Sequence, residues 1–169
     1  VRKVVVGLLG VVFALTVFMG LSYAADKFAY IDLSRTFSEY GKTKDFDKAL
    51  TDKESSYTTE RDAKVDEVKK LQDKLSLLSE KEKEAKKNEI ETKTKNLQDY
   101  DRQKQTDLRK EQDEKMKELL KDIEGAVKTY AEKEGITLVF NDRVLVYQTK
   151  SLEITDKIIE ILNKGYKSK

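Results

Sequence analysis

The sequence contains no cysteine, no histidine and no proline, and only seven glycines in 169 residues. Without cysteine there is no disulfide to hold a fold together, no thiolate nucleophile, and no thiol to carry a lipoprotein anchor. Without histidine or cysteine the usual metal ligands and the usual neutral-pH general base are missing. No P-loop, dinucleotide-type glycine pattern or clustered Asp loop takes their place. An enzyme is therefore not expected, and no catalytic, cofactor-binding or metal-binding residue is assigned; the many carboxylates read as solvated helix faces. An excess of one charge sign is absent as well. Residues 1–24 contribute only Arg2 and Lys3, so the rest of the chain balances 32 basic against 32 acidic side chains. A dedicated nucleic-acid surface would need a stripe of one sign, and none is present.

What is abundant is charge in a helix-favouring context. From Lys42 to Glu124 the chain runs 83 residues without Gly or Pro, and 45 of them are charged. Lys, Glu, Gln, Leu and Ala keep most of their rotamer freedom in a helix, so propensity alone favours helix here. Apolar residues recur thinly at steps of three, four and seven: Phe46, Leu50, Tyr57, Val65, Val68, Leu71, Leu75 and Leu78, then Ile90, Leu97, Tyr100, Leu108, Met116, Leu119, Ile123 and Val127. Such spacing marks a narrow seam against one neighbour and excludes a helix buried all round. A straight rod of this stretch would reach on the order of 125 Å. The leucine run stops at Leu78, Ser79 and Glu82 form a capping-box pattern, and no large apolar residue follows before Ile90. The sequence therefore predicts a helical hairpin, with helices from about Lys42 to Leu78 and from about Glu80 to Glu134 and a turn near 78–81. A continuous dimeric rod is the alternative.

Residues 1–24 read as a secretory signal: Arg2 and Lys3, an apolar run from Val4 to Leu21, and Ser22-Tyr23-Ala24 before a mature start at Ala25. An uncleaved membrane anchor is the alternative reading of the same run. Beyond it, Lys27–Asp32 predicts a strand, with Asp32 able to cap a short helix in which Leu33, Phe37 and Tyr40 share a face and which Gly41 ends. Gly135 is placed to cap the long helix. Thr137–Tyr147 predicts a β-hairpin turning at Asn141 and Asp142, and Thr155, as N-cap, begins a final helix that buries Ile158, Ile159 and Leu162. Tyr166 to Lys169 read as a frayed tail. A lone strand is unstable, so the first must pair with the later ones across the arm, and the arm must leave and return. The fold class is thus α+β, mostly α: a β-containing body from residues 25–41 and 115–169, and a helical-hairpin arm from 42–114. Three strands cannot close a barrel, whereas three chains would supply about nine. A dimer remains compatible with this argument.

The opening Phe28-Ala29-Tyr30-Ile31-Asp32-Leu33 with Phe37 and Glu39-Tyr40, the long charged helices, Gly135-Ile136-Thr137-Leu138-Val139-Phe140-Asn141, and Ile154-Thr155-Asp156 with Ile158-Ile159 and Leu162-Asn163 together resemble the OmpH/Skp family of periplasmic chaperones. The resemblance implies a periplasmic homotrimer with a β-barrel body and three helical tentacles, enclosing a cavity that holds unfolded outer-membrane proteins without ATP. It implies body contacts from Phe28, Tyr30, Ile31, Leu138, Phe140, Val144 and Val146. The cavity lining would come from sparse apolar positions on the arm, with Val65, Val68, Leu75, Ile90, Leu97 and Tyr100 as candidates. Position by position the favoured role of each is to join the two helices of its own hairpin, so the cavity is assigned to the arm as a region. Members of the family carry a basic tentacle tip, whereas here Lys81, Lys83, Lys86, Lys87, Lys93 and Lys95 alternate with Glu80, Glu82, Glu84, Glu89 and Glu91, so no lipopolysaccharide or membrane contact is assigned. The competing function is a structural or tethering coiled coil of the envelope, which should carry strong heptads throughout.

Overall fold

The computed structural model describes residues 26–166. The signal-peptide reading of residues 1–24 and the start at Ala25 lie outside the described residues. The chain forms strand β1 (Phe28–Ile31), helix α1 (Leu33–Glu39), helix α2 (Gly41–Leu75), helix α3 (Glu80–Glu134), strand β2 (Leu138–Asn141) and helix α4 (Thr155–Gly165). Short 3-10 turns at Asp142–Val144 and Lys150–Leu152 lie between β2 and α4.

The arm is a hairpin. Helix α2 ends at Leu75, three residues before the expected Leu78, and the turn occupies residues 76–79. Ser79 supplies the N-terminal boundary of α3: its backbone N–H donates to Glu82 Oε2 at 3.2 Å, so the N3 carboxylate satisfies a donor the helix cannot. At the far end Gly135 adopts φ 67°, ψ 36°, and the Ile136 N–H donates to the Ala131 carbonyl at 2.9 Å. This left-handed residue reverses the chain into β2.

β1 and β2 pair in parallel, with Phe28 opposite Leu138 and Ile31 opposite Asn141. Parallel neighbours need a helical crossover, and here the whole arm serves as that crossover. The expected hairpin over Thr137–Tyr147 is therefore corrected. Asn141 does not take positive φ; its side chain accepts from the Arg143 N–H, and the chain winds into the 3-10 turn at Asp142–Val144 where a second strand was expected. The other neighbour of β1 is Glu153, bridged to Tyr30, with the Ile154 N–H donating to the Tyr30 carbonyl at 3.0 Å.

The core lies where the foot of the arm meets the sheet. Ala29 and Ile31 from β1, Tyr40, Leu119, Ile123 and Ala126 from the arm, and Ile154, Ile158 and Leu162 from α4 form one buried cluster. Thr155 is the first residue of α4 rather than its N-cap; its buried Oγ1 accepts from the Asp32 N–H at 2.9 Å and ties the end of β1 to α4. Asp32 itself caps α1, accepting from the Arg35 N–H at 2.8 Å. Tyr40, not Gly41, ends α1, and α2 starts at once. Asn163 makes this tight junction possible: Oδ1 accepts from the Gly41 N–H at 2.7 Å and Nδ2 donates to the Glu39 carbonyl at 3.1 Å. A Cβ on Gly41 would lie 3.3 Å from that Oδ1, so the glycine is there for close approach. Of the expected frayed tail, residues 167–169 lie outside the described residues, and Tyr166 is held in place. Its hydroxyl donates to Asp45 Oδ2 at 2.8 Å and its ring meets Tyr40 edge-on at 5.8 Å.

Candidate functional site

Two surfaces stand out once the core is placed. Because side chains alternate across a strand, Ala29, Ile31 and Val139 turn to the helices while Phe28, Tyr30, Leu138 and Phe140 share the opposite face. That second face is apolar and largely open. Phe28, Leu138 and Phe140 are exposed, with the Phe28 and Phe140 rings 6.5 Å apart. Val144, Tyr147 and Leu152 are exposed as well, and Val146 is fully exposed at 106%. Of the residues assigned to the body, Tyr30 and Ile31 are buried within this chain, and the other five are on the surface. The Tyr30 hydroxyl is harder to ionise than usual, through burial first and then the nearby Glu153 and Asp142 carboxylates. Asp142 Oδ1 is buried and has no hydrogen-bond partner among the described residues. Among the described residues β2 pairs on one side only, so its outer backbone edge carries no ladder there.

The arm is the second surface. Among the client-cavity candidates, Val68 is buried and Val65, Leu75, Ile90, Leu97 and Tyr100 are half-buried. In a two-helix arm that burial comes from the opposite helix, so all six occupy the seam. Polar rungs cross the seam between these apolar contacts. At the foot, Lys42 Nζ lies 2.6 Å from Asp122 Oδ2 and 2.7 Å from Glu118 Oε1, and the Tyr40 hydroxyl donates to Asp122 at 3.1 Å. Higher up, Lys53 meets Glu111 at 2.6 Å, the Tyr57 hydroxyl donates to Asp101 at 3.2 Å, and Lys93 meets Glu67 at 2.8 Å. The Tyr100 hydroxyl donates to Glu60, and its ring lies 6.0 Å from Tyr57 with Lys64 and Lys104 nearby.

These rungs set the electrostatics. Hydrogen bonds from Lys115 and then Lys42 hold the Glu118 carboxyl down at about 2. Burial, then Asp122, pushes the Tyr40 phenol up to about 12, and the bond to Glu60, then burial, does the same for Tyr100. Burial alone would lower Lys42, but its bonds to Asp122 and Glu118 outweigh that and raise it. Exposed ion pairs are worth about 0–1 kcal/mol each, so the rungs follow the register that the turn imposes and add little stability. The sequence revealed the apolar seam but not its rungs. A carboxylate and a lysine on separate helices carry no sign of their pairing until the turn fixes the register.

Nothing among the described residues converges as an active site would. No group of three or more acidic residues is placed to hold a metal ion. A concavity of about 660 Å³ lies along α3 alone, lined by charged and amide side chains such as Arg102, Gln105, Arg109 and Lys117. No described helix is long and apolar enough to cross a membrane.

Comparison with known proteins agrees with this architecture. No curated protein matches the sequence. The structure superposes on a protein from Caulobacter crescentus CB15, described as OmpH-like and as a candidate outer membrane chaperone, with a TM-score of 0.72 at 14% identity. The match covers 85% of this chain and 88% of that one, which establishes a shared fold. The family model for outer membrane protein (OmpH-like) matches residues 27–162. With a body whose sheet is closed through a helical arm, and a family match running almost from β1 to the end of α4, the chain belongs to the OmpH-like family.

Proposed function

We propose that the protein is an ATP-independent holdase of the periplasm: copies assemble through the β body, most simply as a trimer, and their arms enclose unfolded outer-membrane proteins. One observation carries this reading. A small body presents an open apolar sheet face and an unpaired strand edge, and a long arm with charged outer faces projects from it. Exposed apolar surface and a free strand edge are liabilities that proteins cover, and in a ring of copies the open face of one chain can be covered by a different patch of the next. Phe28, Leu138, Phe140, Val144 and Val146 would make the contact. Buried Tyr30 and Ile31 would support it from within.

The arm suits weak, repeated capture. Its seam is thin, and the half-exposed Val65, Leu75, Ile90, Leu97 and Tyr100 offer apolar contact along the seam margins, more of it when the helices part. Many small contacts give useful retention without slow release, and the charged faces keep a loaded complex dissolved. Release then needs only an acceptor that binds the client better, so the proposed cycle uses no nucleotide. Light scattering from a porin diluted out of urea tests this. The protein lacking residues 1–24 should suppress aggregation without nucleotide and sediment as an oligomer. Unchanged aggregation would favour a structural spacer.

A further inference from the structure

The cross-helix rungs fix which residues of α2 and α3 lie level along the arm: Lys53 with Glu111, Arg61 with Asp101, and Glu67 with Lys93. With that ruler, the charges not used inside the hairpin can be compared. On the side of α2 away from the seam, Lys48, Asp52, Ser55, Thr59, Asp62 and Asp66 follow one another at steps of three and four, all exposed. Between Asp52 and Asp66 this row carries no base. On a flank of α3, Lys95, Gln98, Arg102, Gln105, Arg109 and Gln112 follow the same spacing, all exposed and without an acid. The two rows match in height to within about one helical turn: by these rungs Lys95 lies one residue below the level of Asp66, Arg102 two residues below that of Asp62, and Arg109 three residues above that of Asp52. Among the described residues Asp52, Asp66, Lys95 and Arg109 have no ion pair, while Asp62 meets Arg61 and Arg102 meets Asp99 on their own helices.

We propose that the partner of each row is the other row on a neighbouring copy, so that the arms of the assembly zip side by side, α3 of one against α2 of the next. In a ring of identical copies each point on one arm sits at the same height as its equivalent on the next. Rows matched in height within one chain are therefore matched between chains. A head-to-tail contact of this kind uses two different faces, and the arm has two of opposite sign. The rows are polar throughout, so the contact closes the chamber reversibly. An incoming polypeptide can part the arms without leaving apolar surface exposed to water. Long-range attraction between such rows depends on ionic strength, reaching ~30 Å at 0.01 M salt and ~3 Å at 1 M. This inference rests on the assembly described above.

The absence of native cysteine makes the test direct. Leu77 at the tip of the arm is 85% exposed, and Leu77→Cys carries one spin label per arm. Pulsed electron resonance on the oligomer should show a short tip-to-tip population at low salt that vanishes at high salt. Arg102→Glu with Arg109→Glu should abolish it, and adding Asp52→Lys with Asp62→Lys should restore it. Sedimentation of the same samples separates the two ideas. An oligomer whose tip distances ignore salt and charge reversal overturns the zipper and leaves the assembly standing; a monomer overturns both. Charge reversal that lowers client retention while the tips stay close also overturns it, because the basic row would then be a client surface.

Discussion

Stability should fall steeply from the foot of the arm to its tip, and two leucines of α3 measure the gradient. Leu119 is 2% exposed in the cluster that joins the arm to the sheet and α4. Leu119→Ala removes three carbons from that cluster, worth about 2.4 kcal/mol at ~0.8 kcal/mol per buried carbon. Helices on several sides limit collapse into the gap, so the cavity should bring the total to about 3–5 kcal/mol. Leu97 lies in the seam, half-buried against one other helix. The same substitution there loses about half the transfer energy and leaves an open notch, so about 1 kcal/mol is expected. Urea denaturation gives the two costs, and amide hydrogen exchange shows where each is felt. Leu119→Ala should speed exchange in α3, α4 and β1 together, and Leu97→Ala only in the upper arm. Equal costs, or global acceleration from Leu97→Ala, would refute the picture of a firm foot carrying a loosely held arm.

Acid should act at the same foot. The Glu118 carboxyl is held at about 2 against an ordinary 4.5, so its contribution is present above about 4.5 and is lost as pH falls from there to about 2. Glu118→Gln should flatten stability over that window in acid titrations, with a small loss at neutral pH because the group is partly exposed. Two glycines should respond with opposite signs. Gly125 lies inside α3 with no atom within 4 Å of an added Cβ, so Gly125→Ala should stabilise by about 0.5–1 kcal/mol, whereas Gly135→Ala at φ 67° should destabilise by about 1 kcal/mol in thermal melts. Val146 makes too little contact within the chain to support its fold. Val146→Asp should therefore leave circular dichroism unchanged while lowering the sedimentation coefficient to that of a monomer; an intact oligomer would move the interface elsewhere.

Local chemistry made much of this architecture legible in advance. Capping by Asp32, the Ser79 and Glu82 pair and Gly135 are decided within a few residues, and each is found where the sequence puts it. The return of the arm followed from a lone strand's need for a partner, and β1 does pair with the segment after α3. The misreadings share a cause. Asn141 and Asp142 suit a hairpin turn and a 3-10 turn equally well, and long-range packing made the choice. Thr155 looked like an ordinary cap because nothing local shows that the Asp32 N–H needs its oxygen. Tyr166 looked like tail because Asp45, its partner, is 121 residues away.

The sequence by itself determined that this is a long, charged helical arm on a small β-containing body, because helix propensity, the absence of proline and the spacing of sparse apolar residues are properties of neighbouring residues. Only the tertiary structure decided that the strands run parallel, that tyrosine and lysine rungs cross the seam, and that one sheet face is left open. Those features depend on which distant residues meet, and the bend at residues 76–79 fixes the register of every meeting along the arm.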